Sequence, residues 1–142
     1  KSKFIHNIYK SNVFSDDTGL EIEALNNEPG VRSARYSGEE KNPLKNIELV
    51  LKKLEGISNR KARFRTVISL IYNDKNYCFE GIVNGTIIDK PKGNMGFGYD
   101  PIFVANNMKE TFAEISLDEK NKISHRAIAT NKLIDFLSKK VF

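Results

Sequence analysis

Between Ala62 and Tyr72 the chain alternates: Ala62, Phe64, Thr66, Ile68, Leu70 and Tyr72 fall on one side of an extended backbone, with Arg63, Arg65, Val67 and Ile71 on the other. Successive side chains of a strand point to opposite faces, so the segment predicts a strand that is wet at its start and buried on both faces at its end. Such a strand must pair its backbone groups, which commits the chain to a sheet. Asn73-Asp74-Lys75-Asn76 reads as a turn, and residues 77–83 and 85–88 read as two further strands, antiparallel neighbours. Upstream, Val13-Phe14-Ser15 reads as a short strand that delivers Asp16 and Asp17 to its end, with Gly19 permitting a tight turn. A last short strand is expected over residues 101–104.

Helical signals surround these strands. Asn42 suits an N-cap and Pro43 the first helical position, and Ile47, Val50, Leu51 and Leu54 then repeat at helical spacing until Gly56. Ser124 suits the cap of a last helix, with a stripe of Ala127, Ile134, Leu137 and Val141 flanked by Ala129, Leu133 and Phe136. Phe4, Ile5, Ile8 and Tyr9 read as the tail of another helix. The economical architecture is α/β, a mixed sheet flanked by helices, and 142 residues that are 39% hydrophobic suit one domain.

No run approaches the ~18 apolar residues of a membrane span, and the N-terminus lacks the apolar stretch of a signal peptide. A soluble protein without a membrane partner is expected. The single cysteine, Cys78, has no internal disulfide partner and reads as a buried, inert thiol, which agrees with a reducing, cytoplasmic compartment. The net charge of +5 suits either nucleic acid or a small phosphorylated substrate. Arg60-Lys61-Ala62-Arg63-Phe64-Arg65 is the densest cationic run, yet long interleaving of basic and stacking residues is absent, so no stable nucleic-acid partner is expected. Arg63 and Arg65 read first as the solvated side of a strand and second as anion contacts.

Three segments carry chemistry. Asp16-Asp17-Thr18-Gly19 supplies carboxylates suited to Mg²⁺, which keeps waters while touching carboxylates and phosphates. Adjacent residues of a strand face opposite ways, so Asp16 and Asp17 need not ligate one ion. Gly96-Phe97-Gly98-Tyr99-Asp100-Pro101 offers a ring to stack on a planar base, a carboxylate to accept from base N–H groups, and glycines that allow close ligand approach. Ser124-His125-Arg126 places donors at a helix start, where a keto oxygen or phosphate meets favourable partial charge. A structural turn, buried loop aromatics and a simple helix cap are the bland readings of the same three segments.

Taken in order, Ser15 to Leu20, Pro29 to Gly38, Gly96 to Pro101 and Ile123 to Arg126 closely resemble the inosine/xanthosine triphosphate pyrophosphatase family, over nearly the whole chain. The resemblance implies an elongated mixed β-sheet flanked by helices. It implies hydrolysis of non-canonical purine nucleoside triphosphates (ITP, dITP, XTP) to the monophosphate and pyrophosphate, with Mg²⁺ as cofactor and a homodimer as the assembly. It casts Asp17 as the catalytic, metal-contacting aspartate and Thr18 as its substrate-contacting neighbour. Phe97 is cast as the ring stacked on the purine, with Gly98, Tyr99 and Asp100 completing the loop and Asp100 reading the base edge. Lys120 is a further substrate contact, His125 and Arg126 recognise the six-keto purine, and Lys1 lies near the phosphates. Donors at His125 and Arg126 satisfy a C6 oxygen but oppose the amino group of adenine. The family's first strand, its Ser/Thr-Gly-Asn loop and most of its first helix, with a metal-binding glutamate, have no counterpart in the 142 residues, so an N-terminally incomplete domain is the expectation. A non-catalytic nucleotide-binding remnant and a basic nucleic-acid-binding module are the alternative functions.

Overall fold

The alternating segment becomes the central strand of the sheet. The computed structural model describes residues 13–141, so Lys1 and the expected helix tail over residues 4–9 lie outside the described residues. Among the described residues, five strands, β1 (Val13–Ile22), β2 (Glu28–Pro29), β3 (Lys61–Tyr72), β4 (Lys75–Ile87) and β5 (Phe103–Ala105), are ordered β2-β1-β3-β4-β5, and every ladder among them is antiparallel. The described residues also form three α-helices, α1 (Pro43–Lys53), α2 (Leu117–Ile123) and α3 (His125–Val141), which flank the sheet in a mixed α/β fold, with 3₁₀ turns at Glu23–Leu25, Gly30–Arg35 and Asp100–Ile102. The cap of α1 is as expected: Asn42 accepts from the Lys45 backbone N–H, and Pro43 opens the helix.

Several elements differ from the sequence reading, each because a cross-strand or packing partner overrides a local signal. Asp16 to Gly19 form no turn; β1 runs straight through them, since β3 offers partners from Ile71 back to Ala62. Gly19 is needed for close approach instead, as a Cβ there would lie 2.4 Å from the Gly30 carbonyl oxygen. The two strands expected over residues 77–88 are one strand, because β3 pairs continuously from Lys75 to Thr86 and carries the ladder through Asn84 and Gly85. Residues 100–102 turn in 3₁₀ form before β5, and α2 is an additional helix. Cys78 is exposed rather than buried, since it shares with Ser69 the face of the sheet away from the core. On that face Arg63 and Arg65 are half exposed and paired with carboxylates, Arg63 with Glu21 at 2.6 Å and Arg65 with Glu80 at 2.6 Å.

The even-numbered side chains of β3 bury two apolar clusters on one face. Ala62 and Phe64 join Leu20, Ile47, Val50, Leu54, Phe103 and Phe112; Ile68 and Leu70 join Ala129 and Leu133 of α3. Ile134, expected in the buried stripe of that helix, is 54% exposed, so the buried face is centred on Ala129 and Leu133. The reason lies at Gly81: a Cβ there would meet the His125 carbonyl oxygen at 1.9 Å. The start of α3 therefore rests on bare backbone of β4, and this contact sets the helix rotation. Thr66, fully buried, stands on β3 between the two clusters. The seam they leave is where the polar residues gather.

Candidate functional site

A cavity of about 340 Å³ opens at this seam, and it collects Thr18, Phe97, Gly98, Tyr99, Asp100, Lys120, His125 and Arg126. Residues far apart in sequence meet because the middle of β1, the 96–100 loop, α2 and the start of α3 all border it. Thr18 comes from β1, whose even-numbered side chains face the same side as those of β3. The loop is held by Asp100, which is buried. Its Oδ2 accepts from the Phe97 backbone N–H at 2.9 Å and from the Lys120 ammonium at 2.6 Å. Gly96, at φ 72°, lies so close to that oxygen that a Cβ would stand 2.2 Å from it. The arrangement leaves the Phe97 ring 67% exposed, with the Lys120 nitrogen 4.1 Å from its centroid. An exposed aromatic face backed by a cation is a stacking platform for a planar ligand.

Asp100 thus secures the loop and neutralises Lys120 inside the cavity wall, so its Oδ2 is occupied by the protein's own donors. Tyr99 is anchored too: its hydroxyl donates to the Ser33 carbonyl at 2.7 Å, and burial pushes its phenol well above the ordinary range. The Ser33 wall is braced by Asn46 of α1, buried, which donates to the Ser33 and Ala34 carbonyls and accepts from Ser37. The sequence reading assigned roles to neither Ser33 nor Asn46. A signal existed at Asn46, a polar residue four before Val50 on the buried side of its helix.

His125 lies flat on Phe64, with centroids 4.8 Å apart and planes 15° from parallel. Burial, and then the charges of Lys120 and Arg126, push its pKa down to about 4, so the ring is neutral at pH 7. Its Nδ1 is buried without a hydrogen-bond partner among the described residues, an unsatisfied polar atom in the cavity wall. Ser124 caps α3 by accepting from the Ala127 N–H. Arg126 is half exposed, donating to Thr18 Oγ1 at 3.3 Å and standing 3.5 Å from Asp16.

Asp17 is not in this cavity. Asp16 and Asp17 face opposite sides of β1, as alternation requires; Asp17 lines an adjoining cavity of about 300 Å³ with Gly19, Gly30, Val31 and Arg65. The two cavities share Thr18 and Gly19. They meet across the rim of the sheet, because among the described ladders the outer side of β1 is paired only at Glu21 and Ile22. No cluster of three His, Cys, Asp or Glu side chains suited to a metal occurs among the described residues. Mg²⁺, which commonly takes one or two carboxylates and fills its shell with water and phosphate oxygens, still fits an exposed carboxylate such as Asp17. Asp16, on the other face, lies 3.5 Å from the Arg126 guanidinium.

Comparisons with known proteins point to one family. Residues 1–136 match the Ham1 family. A dITP/XTP pyrophosphatase of Flavobacterium psychrophilum is 50% identical over 136 residues, spanning 96% of this chain and 72% of the relative. One from Thermoanaerobacter pseudethanolicus is 44% identical over 143 residues, 99% of this chain and 72% of the relative. Among solved structures, the Staphylococcus aureus Ham1 protein superposes with a TM-score of 0.95 at 44% identity, covering 98% of this chain and 73% of that one. A HAM1 protein from Coxiella burnetii gives 0.88 at 40% identity, covering 92% and 69%.

Proposed function

This chain belongs to the Ham1 family, and from that premise we propose that it hydrolyses non-canonical purine nucleoside triphosphates to the monophosphate and pyrophosphate. The observation that carries the reading is the cavity in which the exposed Phe97 face, the neutral His125 ring and the Arg126 guanidinium converge beside Thr18. In this reading the purine stacks on Phe97. Its C6 oxygen takes donors from His125 and Arg126, whereas the amino group of adenine would face the same donors unpaired. The purine half of the cleft is prebuilt, since Asp100, Lys120 and Ser33 hold the loop before any ligand arrives.

From the base cavity the phosphates pass over the rim of β1 at Thr18 and Gly19 toward Asp17. Mg²⁺ would be held there by Asp17 and would supply charge neutralisation and orientation of the phosphates. Asp17 would take up the proton of the attacking water as the phosphoanhydride link between the α- and β-phosphates breaks and pyrophosphate leaves. Lys1 belongs to the same reading as a cation near the leaving pyrophosphate. A homodimer and a cytoplasmic location are likewise part of the proposal; no helix among the described residues is long and apolar enough to cross a membrane.

The test is product analysis. Inosine triphosphate should yield inosine monophosphate and pyrophosphate in equal amounts, and Asp17→Asn should lower turnover by at least about a hundredfold with the thermal midpoint unchanged. Release of orthophosphate from the γ-position, or undiminished turnover by the variant, would refute the reading.

A further inference from the structure

Thr66 lies behind the cleft rather than in it. It is fully buried, and it occupies the middle of one rung across three strands: Thr18 on β1 pairs with Thr66 on β3, which pairs with Gly81 on β4. Both ends of that rung serve the site. At one end the Thr18 and Thr66 hydroxyls share a hydrogen bond of 2.9 Å. At the other, the bare backbone of Gly81 receives the His125 carbonyl and so seats the start of α3.

Thr18 is the residue common to the base cavity, to the Asp17 cavity, and to the groove of about 380 Å³ that continues from the base cavity along α2 and α3. Its hydroxyl takes the Arg126 guanidinium from the cavity side at 3.3 Å and meets Thr66 from the buried side. A threonine on a strand swings its hydroxyl among few staggered positions, so a fixed buried partner selects one of them. Thr66 is that partner. Without it, Thr18 Oγ1 loses the contact that keeps it toward the seam, and Arg126 loses a fixed acceptor, retaining Asp16 at 3.5 Å.

We infer that Thr66 is a positioning residue of the cleft: through its hydroxyl it orients Thr18, and through Thr18 the Arg126 guanidinium, where the purine cavity meets the Asp17 side of the sheet. The inference rests on the proposed function for the identity of the substrate. A cross-strand threonine pair also stabilises a sheet, and a purely structural pair would lower stability without touching recognition.

The experiment compares wild type with Thr66→Val, which preserves shape and β-branching, and Thr66→Ser, which restores the hydroxyl. Thr66→Val should weaken ITP binding in calorimetric titration, and kcat/KM, by about fivefold to tenfold, the effect of one displaced hydrogen-bonding partner. Thr66→Ser should stay within about twofold of wild type, and Thr66→Val combined with Thr18→Val should lose little more than Thr18→Val alone. Wild-type affinity in Thr66→Val, or a loss in Thr66→Ser as large as in the valine variant, overturns the inference. If wild type itself fails to hydrolyse ITP, the proposed function falls, while the Arg126 side-chain resonance still decides the role of Thr66. A shift in Thr66→Val that Thr66→Ser reverses supports positioning, and an unmoved resonance defeats it.

Discussion

In the proposed reading, purine recognition turns on a neutral imidazole at His125. The folded ring titrates near 4 because it is buried against Phe64 and sits beside Lys120 and Arg126, whereas in the unfolded chain it titrates near 6.5. Between those values the unfolded chain takes up a proton that the folded chain refuses. Stability therefore falls as pH drops from about 6.5 to about 4, by on the order of 3 kcal/mol from this group, with no further loss from it below. Denaturant titrations across that range should show a shallower slope in His125→Asn than in wild type; equal slopes would contradict the assignment. At this scale the loop of Gly96 to Pro101 and the His125-Arg126 pair were legible in sequence, because stacking rings and donors announce themselves by type. Thr66 and Ser33 were not, and Asn46 showed only as a polar residue on the buried side of its helix. Their roles are hydrogen bonds to Thr18, Tyr99 and the 33–37 backbone, and nothing in their own sequence neighbourhoods names those partners.

At the scale of elements, the start of α3 against β4 decides whether His125 and Arg126 reach the cavity. Gly81 lets the helix approach until backbone touches backbone, and Ala129 and Leu133 then face Ile68 and Leu70. A single methyl in that contact has no flexible neighbour to displace, since it would meet the His125 carbonyl and the Ala129 nitrogen. Gly81→Ala should destabilise the protein by about 1–3 kcal/mol, the usual cost of overpacking, and should weaken ITP binding as the helix start moves outward. Unchanged melting together with unchanged affinity would show that the helix seat carries no such role. The same scale explains the strand errors. Asp16-Asp17-Thr18-Gly19 and Asn84-Gly85 carry turn chemistry, yet each stays extended because β3 supplies a ladder partner at every position. Conversely, the cap at Asn42 and the helix after it were legible, since capping is a local hydrogen bond.

Across the whole molecule, a net charge of +5 attracts a polyanionic substrate such as a nucleoside triphosphate. Attraction of that kind is screened, so raising ionic strength from about 50 mM to about 500 mM should raise KM for ITP several-fold while kcat changes much less. A KM indifferent to salt would remove the charge of the chain from the account of binding. The amino-acid sequence by itself determined the central strand, the capped helix α1, the segments that line the cavity and the family they belong to, because periodicity, capping and residue type are local properties. Only the tertiary structure decided that β1 passes straight through its aspartates, with Asp17 on one face and Thr18 with Arg126 on the other. It alone placed a buried threonine at the junction. These facts depend on which strand lies beside which and how closely a helix seats on a glycine, and such contacts join residues as distant in sequence as Thr18 and Arg126, 108 positions apart.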